Sequence, residues 1–271
     1  MNIRDRPFTI ELLYFKNIHN KLMTNSNSVY KNVFFLGIAF ILMGLISHNA
    51  FKNGKVVCES YIMNTYLYIA LGICIIGYSS FLFIDNKVIT KSKGLGILFM
   101  SMVLAFVFLF GLLFTSNENV IQSHIFWLLL IITFGITLVP SIINTTNPLI
   151  ADALLVTAII FFSMSLVGYI GYDKIINHVG PVGIFLLICL IAVILYELFY
   201  IFFQKSYPEK KRRIVSYFVV VLFAVFIIYD TVLLQKRATV CSNLTNPANY
   251  PKESVNIILD LLNIFVRLLN N

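Results

Sequence analysis

Three acidic side chains fall inside otherwise apolar stretches of this sequence: Glu197, Asp230 and Asp260. An ionisable group inside a bilayer is expensive and usually marks function, so each needs a partner, water or a proton. Asp230 follows ten residues, 220–229, that are wholly apolar or aromatic. It is either a carboxylate in the membrane interior or a headgroup-level acid at the end of its run. Asp260 sits among Ile, Leu, Val and Phe, with Asn256, Asn263 and Arg267 at offsets of −4, +3 and +7. At 3.6 residues per turn these four share one face of a helix. The stripe is narrow and holds few basic residues, so it is expected to face a bundle interior rather than to lie flat at an interface. Glu197 shares a face with Tyr200 and Gln204. It reads equally as a pore residue or third carboxylate and as a satisfied interhelical hydrogen bond. Two carboxylates close together in a low dielectric cannot both ionise easily and titrate as a pair. Their hard oxygens suit transient contact with calcium, and no firmer metal site is expected.

The elements that must position these acids follow from composition. The chain has 271 residues, of which 59% are apolar and 12% charged, against roughly 25% charged in an ordinary soluble domain. This excludes a soluble enzyme, a disordered chain and a disulfide-stapled secreted module. The expected fold is all-α: a polytopic transmembrane bundle of seven to eight helices. A polar tail over 1–32 precedes a single transmembrane domain over 33–271. The apolar runs are 33–50, 61–84, 94–114, 125–143, 153–171, 181–204 and 214–234, with a weaker eighth over 254–269. A spanning helix needs roughly 20 residues. The first run is at the lower limit, and the eighth reaches only about 24 Å at 1.5 Å per residue. That last run is expected to be re-entrant or buried in protein. Pro140 is expected to kink its helix, which neighbouring helices tolerate.

With the N-terminus cytoplasmic, fourteen basic residues fall on the cytoplasmic side and six on the other. The cluster Lys210, Lys211, Arg212, Arg213 is the strongest marker of that orientation. Cys58 and Cys241 then share the non-cytoplasmic side, as a disulfide or as two free thiols. The sequon Asn243-Leu244-Thr245 lies on that side, and Asn144-Thr145-Thr146 lies on the cytoplasmic one. The net charge of +8 is a topology signal rather than a nucleic-acid footprint, because no nucleic-acid-binding motif accompanies it. No apolar core opens residues 1–32, so a cleaved secretory signal is not expected there. No CxxC, GxSxG, HExxH or P-loop occurs, so neither an enzyme nor a bound cofactor is expected. Asp152, Asp173, His48, His124 and His178 lie near run ends and are expected to be solvated or interfacial. Tyr61, Tyr66, Tyr196 and Tyr200 are candidates for aromatic belts.

Tyr229-Asp230-Thr231, followed by Leu259-Asp260-Leu261-Leu262-Asn263-Ile264-Phe265, resembles the end of the Bax-inhibitor (TMBIM) family. Members carry a tyrosine–aspartate–threonine near one helix end, then a polar loop and a final helix of this pattern. Gly168-Tyr169-Ile170-Gly171-Tyr172-Asp173-Lys174 is similar to the end of the family's fourth helix and its following loop. Gly135-Ile136-Thr137-Leu138-Val139-Pro140 is similar to the end of its third. The resemblance covers roughly 125–271. It implies a seven-helix bundle with the last helix at its centre. It also implies a pH-sensitive calcium leak, with calcium as the transported ion, and inhibition of apoptosis. The family's paired aspartates carry over onto Asp230 and Asp260, where they share a proton and hold the pore shut. Glu197, Asn263 and Arg267 become supporting or pore-lining candidates. Two departures stand out. An additional apolar run precedes the core, and no Lys or Arg lies within 61–84 or 94–114 to latch the aspartates as in some members. Arg267 is the candidate substitute.

The expected membranes are the endoplasmic reticulum, Golgi or plasma membrane rather than the mitochondrial inner membrane. Expected partners are the bilayer, calcium and cell-death regulators or other calcium channels. A non-conducting scaffold for such proteins is the alternative. An intramembrane aspartyl protease is a remote one, since Ile258 and Leu259 stand where its glycines belong.

Overall fold

The computed structural model describes residues 33–85, 94–143, 145–203, 208–242 and 247–270. The polar tail over 1–32, the sequon at Asn243, Asn144 of the other sequon and Gln204 lie outside the described residues. Helix α1 spans Val33–Ala50. A small antiparallel hairpin follows, with strands Phe51–Lys52 and Lys55–Val56. Its two-residue turn is Asn53-Gly54, both at positive φ (52° and 74°), the backbone that an Asn-Gly hairpin turn requires. Next come α2 (Tyr61–Asp85), α3 (Gly94–Phe114), α4 (Val120–Ile142) and α5 (Asn147–Ile170). A short helix α6 (Tyr172–Ile175) and a 3-10 turn (Ile176–His178) lead into α7 (Val179–Phe203), α8 (Glu209–Val240) and α9 (Tyr250–Leu269). Pro140 lies within the last turn of α4, two residues before its end at Ile142.

Seven of the helices are long and apolar enough to cross a bilayer. The protein is an integral, multi-pass membrane protein of all-α class. Helical backbone satisfies its own hydrogen bonds, which hydrocarbon demands. The outward faces of α1, α3 and α7 expose rows of Phe, Leu, Ile and Val. In water such patches would be a liability; against lipid they are the matching surface.

Helix α9 is the exception to the apolar pattern and sits in the middle. It packs against α2, α4, α5 and α8. Its buried residues include Ile257, Ile258, Leu261, Ile264 and Phe265, and Asp260 among them. The helix begins a turn earlier than the apolar run does, with Pro251 in its first turn and the Asn249 side chain accepting from the Lys252 amide at 3.1 Å. Its 20 residues give a length of about 30 Å, enough to cross the bundle from one end to the other.

Both ends of α9 are pinned by side chains. At the first, the Asn249 Nδ2 donates to Ser123 Oγ (2.8 Å), the Trp127 indole to Ser254 Oγ (2.9 Å), and the Tyr250 hydroxyl to the Val57 carbonyl. Cys58 and Cys241 are disulfide-bonded at the same end. At the other, Ser216 Oγ on α8 donates to the Arg267 carbonyl at 3.2 Å. That end carries the exposed cluster Lys210–Arg213. The bundle thus has a disulfide end and a basic end.

Candidate functional site

The tripeptide Tyr229-Asp230-Thr231 distributes its side chains over three directions. The Tyr229 ring lies over Gly183 of α7, where an added Cβ would meet the ring carbons at 2.7 and 2.9 Å. Thr231 is buried against α5, its Cβ facing Gly168, and its Oγ1 stands 3.5 Å from the Tyr66 hydroxyl of α2. Asp230 turns to α9. Its depth follows from register. Helices α8 and α9 are antiparallel and joined by an ion pair, Arg237 to Glu253, at 2.5 Å. Asp230 precedes Arg237 by seven residues and Asp260 follows Glu253 by seven. Seven residues are close to two turns. The same face that pairs Arg237 with Glu253 therefore sets Asp230 opposite Asp260, about 10 Å deeper. The two carboxyls interact electrostatically.

Asp260 is 5% exposed, and its Oδ2 has no hydrogen-bond partner among the described residues. Such a group is high in energy as an isolated anion. A shared proton or a bound cation relieves it; a lone charge does not. Asp230 is half-buried.

A polar cavity of about 310 Å³ opens above the pair at the disulfide end, lined by Tyr61, Asn117, Arg237, Lys252, Glu253 and Asn256 among others. It is wide enough for several waters at ≈ 30 Å³ each. Lys252 Nζ is held there by the carbonyls of Leu113 (2.8 Å) and Thr115 (3.4 Å). The Arg237–Glu253 pair forms part of the cavity's wall.

A family model described as inhibitor of apoptosis-promoting Bax1 matches residues 58–271. The chain belongs to the Bax-inhibitor family. No curated protein matches the chain, and no solved structure does. Within the matched region lie seven long helices, α2 to α5 and α7 to α9. Helix α1 lies upstream of the match, as the extra apolar run indicated.

Several expectations need correction. Arg267 does not serve the aspartate pair. Its guanidinium forks onto Glu197 of α7, with contacts of 2.5 and 2.7 Å. Two turns of helix separate it from Asp260, about 10 Å, and the nearer acid takes it. Glu197 is accordingly half of an interhelical ion pair, the satisfied contact that was one of its two readings, rather than a third carboxylate at the pair. The cation within electrostatic reach of Asp230 is Arg237, which sequence reasoning placed in a loop. Its signal was available: Arg237 is seven residues from Asp230, on a helix that continues past Leu234. Tyr61 and Tyr66 are not belt residues. Tyr61 lies tilted against Tyr250 at 5.4 Å inside the bundle, and Tyr66 meets Thr231 and Phe161. Tyr200 is buried and accepts from Lys211 Nζ at 3.1 Å. His124, half-buried near the start of α4, is held between the Tyr68 hydroxyl (2.6 Å) and the Val120 carbonyl (2.7 Å). Of the polar stripe, Asp260 is buried and Asn263 half-buried, its Nδ2 donating to the Leu259 carbonyl at 2.8 Å. Asn256 is exposed at the cavity. Asp152, Asp173, His48 and His178 are exposed.

Proposed function

We propose that this Bax-inhibitor family protein is a pH-sensitive calcium leak channel that restrains apoptosis by lowering stored calcium. The observation that carries the reading is Asp260: a buried carboxyl at mid-helix, with an unpartnered Oδ2, opposite a second carboxyl. In this reading the pair shares one proton while the route is closed. Loss of the proton leaves two like charges in a low dielectric, and their repulsion separates α8 from α9. A calcium ion passing between the helices is met by carboxylate oxygens, its preferred ligands. Calcium is transported rather than held, and neither a cofactor nor a catalytic step is invoked. A protease reading is disfavoured by Ile258 and Leu259, bulky residues where that chemistry wants glycine beside its second aspartate.

The Cys58–Cys241 disulfide supports a non-cytoplasmic disulfide end, because such bonds persist in oxidising compartments. This agrees with the basic cluster at the other end. Endoplasmic reticulum, Golgi and plasma membranes fit that chemistry. The test is calcium efflux from proteoliposomes across pH 5–8. Asp230→Asn and Asp260→Asn are each expected to abolish its pH dependence. An unchanged profile in both variants would refute the leak. Death suppression that persists in cells without any leak from pure protein would favour a scaffold that binds cell-death regulators.

A further inference from the structure

Helix α9 carries three ionisable groups at seven-residue spacing: Glu253, Asp260 and Arg267. Seven residues advance the helix by nearly two turns, so the three stand on one face at intervals of about 10 Å. Each meets an ionisable partner from another helix. Glu253 meets Arg237 of α8, Asp260 faces Asp230 of α8, and Arg267 meets Glu197 of α7. Asn256 and Asn263 occupy intervening turns of the same face. The result is a polar column along the central helix, with an ion pair above the aspartates and another below.

The lower pair joins the central helix to one that is thinly held. Among the described side chains of α7, only Val179, Leu186, Val193 and Tyr200 are buried. Glu197 is the sole charged residue in α7. Besides the fork, α7 is anchored by Gly183 under the Tyr229 ring near the disulfide end and by the Tyr200–Lys211 hydrogen bond near the basic end. Its main packing partner is α8. The fork itself is about a quarter exposed on each side (27% and 25%). A partly buried ion pair adds little net stability, because desolvation offsets attraction. Its geometry, however, is bidentate and directional, which suits a latch that is either made or broken.

We propose that the Glu197–Arg267 fork is a gate at the basic end, in series with the aspartate pair, that closes the polar column of α9 and opens when α7 swings away from it. The proposal rests on the leak reading above and supplies the exit that a route past Asp260 requires.

The experiment reads water entry rather than ion flux. Asn263 lies one turn above Arg267 on the column. Asn263→Cys is introduced into a Cys74→Ala/Cys189→Ala background, which removes the two free thiols. Labelling by a membrane-impermeant, positively charged methanethiosulfonate is then followed in permeabilised membranes. Slow labelling is expected with the fork intact. Glu197→Gln is expected to speed it by about tenfold, the change that a shift of 1.4 kcal/mol in a two-state equilibrium produces. The charge-exchanged pair E197R/R267E is expected to restore slow labelling. Arg267→Gln replaces E197Q if that variant does not reach the membrane. Equal labelling in all backgrounds overturns the gate. Labelling that responds to the fork, with efflux indifferent to Asp230→Asn and Asp260→Asn, overturns the leak and leaves the gate. Efflux that responds to the aspartates while labelling ignores the fork overturns the gate alone.

Discussion

Replacing Gly168 by alanine tests how closely α5 must approach α8 beside the aspartate. Gly168 is buried, and a Cβ at that position would stand 2.8 Å from the Ile228 carbonyl oxygen, 2.9 Å from Thr231 Cβ and 3.3 Å from Ile228 Cα. Two of these are main-chain atoms, and none is the far end of a flexible side chain. The helices must therefore move apart by several tenths of an ångström. Overpacking of this kind costs about 1–3 kcal/mol, and rigid obstructing atoms put Gly168→Ala near the middle, about 2 kcal/mol. Alanine is the better helix former by about 1 kcal/mol, so the net expectation is a loss of about 1 kcal/mol. The sign is what discriminates. Gly44 of α1 has nothing within 4 Å of a built Cβ, so Gly44→Ala should only gain from helix preference. Unfolding free energies from detergent titration in mixed micelles give both values. Because Gly168 touches the residues flanking Asp230, the same variant should also raise calcium efflux at a pH where the wild type is closed. A Gly168→Ala protein as stable as Gly44→Ala would refute the close approach of α5 to α8.

Three further variants test the disulfide end. Cys58→Ser breaks a link between residues 183 apart in sequence; it should lower thermal stability by about 2–4 kcal/mol and abolish the mobility difference between reduced and oxidised protein on gels. An unchanged melting temperature would show that the hairpin and the end of α8 are held by packing alone. Arg237→Gln leaves Glu253, whose side chain is only 12% exposed, without its cation, and should cost about 2 kcal/mol after allowance for the part-exposed guanidinium. Lys52→Gln removes an exposed pair with Glu59 and should be close to neutral; equal losses in the two variants would contradict the burial argument.

Helix class, span positions and the presence of acids inside the spans were legible because they depend on local quantities; the pairing of Asp230 with Asp260 came from the family resemblance. Hydropathy over about 20 residues decides whether a segment enters the bilayer. A helical offset decides which residues share a face. The amphipathic stripe through Asp260 therefore gave away the unusual last helix. Its true start at Tyr250 was missed because Lys252 and Glu253 look like loop residues, although Pro251 suits a first helical turn. The hairpin at Asn53-Gly54 carried a recognisable turn signal that the apolar-run reading passed over. Arg267 shows where periodicity stops being informative: it shares a face with Asp260, yet a shared face does not bring groups two turns apart into contact.

The amino-acid sequence by itself determined that this protein is a multi-pass helical membrane protein with few intramembrane charges, Asp230 and Asp260 chief among them. Composition and periodicity suffice for that, since lipid admits only backbone that satisfies its own hydrogen bonds. Which charge meets which was decided by tertiary structure. Arg237 to Glu253, Arg267 to Glu197 and Cys58 to Cys241 each join elements whose relative register is set by packing across helices. Side-chain contacts act over a few ångströms and lie between segments far apart in the chain, so no spacing along one helix encodes them. The placing of an unpartnered carboxyl oxygen at the centre of the bundle is of the same kind: the sequence supplied the aspartate, and the packing of α2, α4, α5 and α8 around α9 took water away from it.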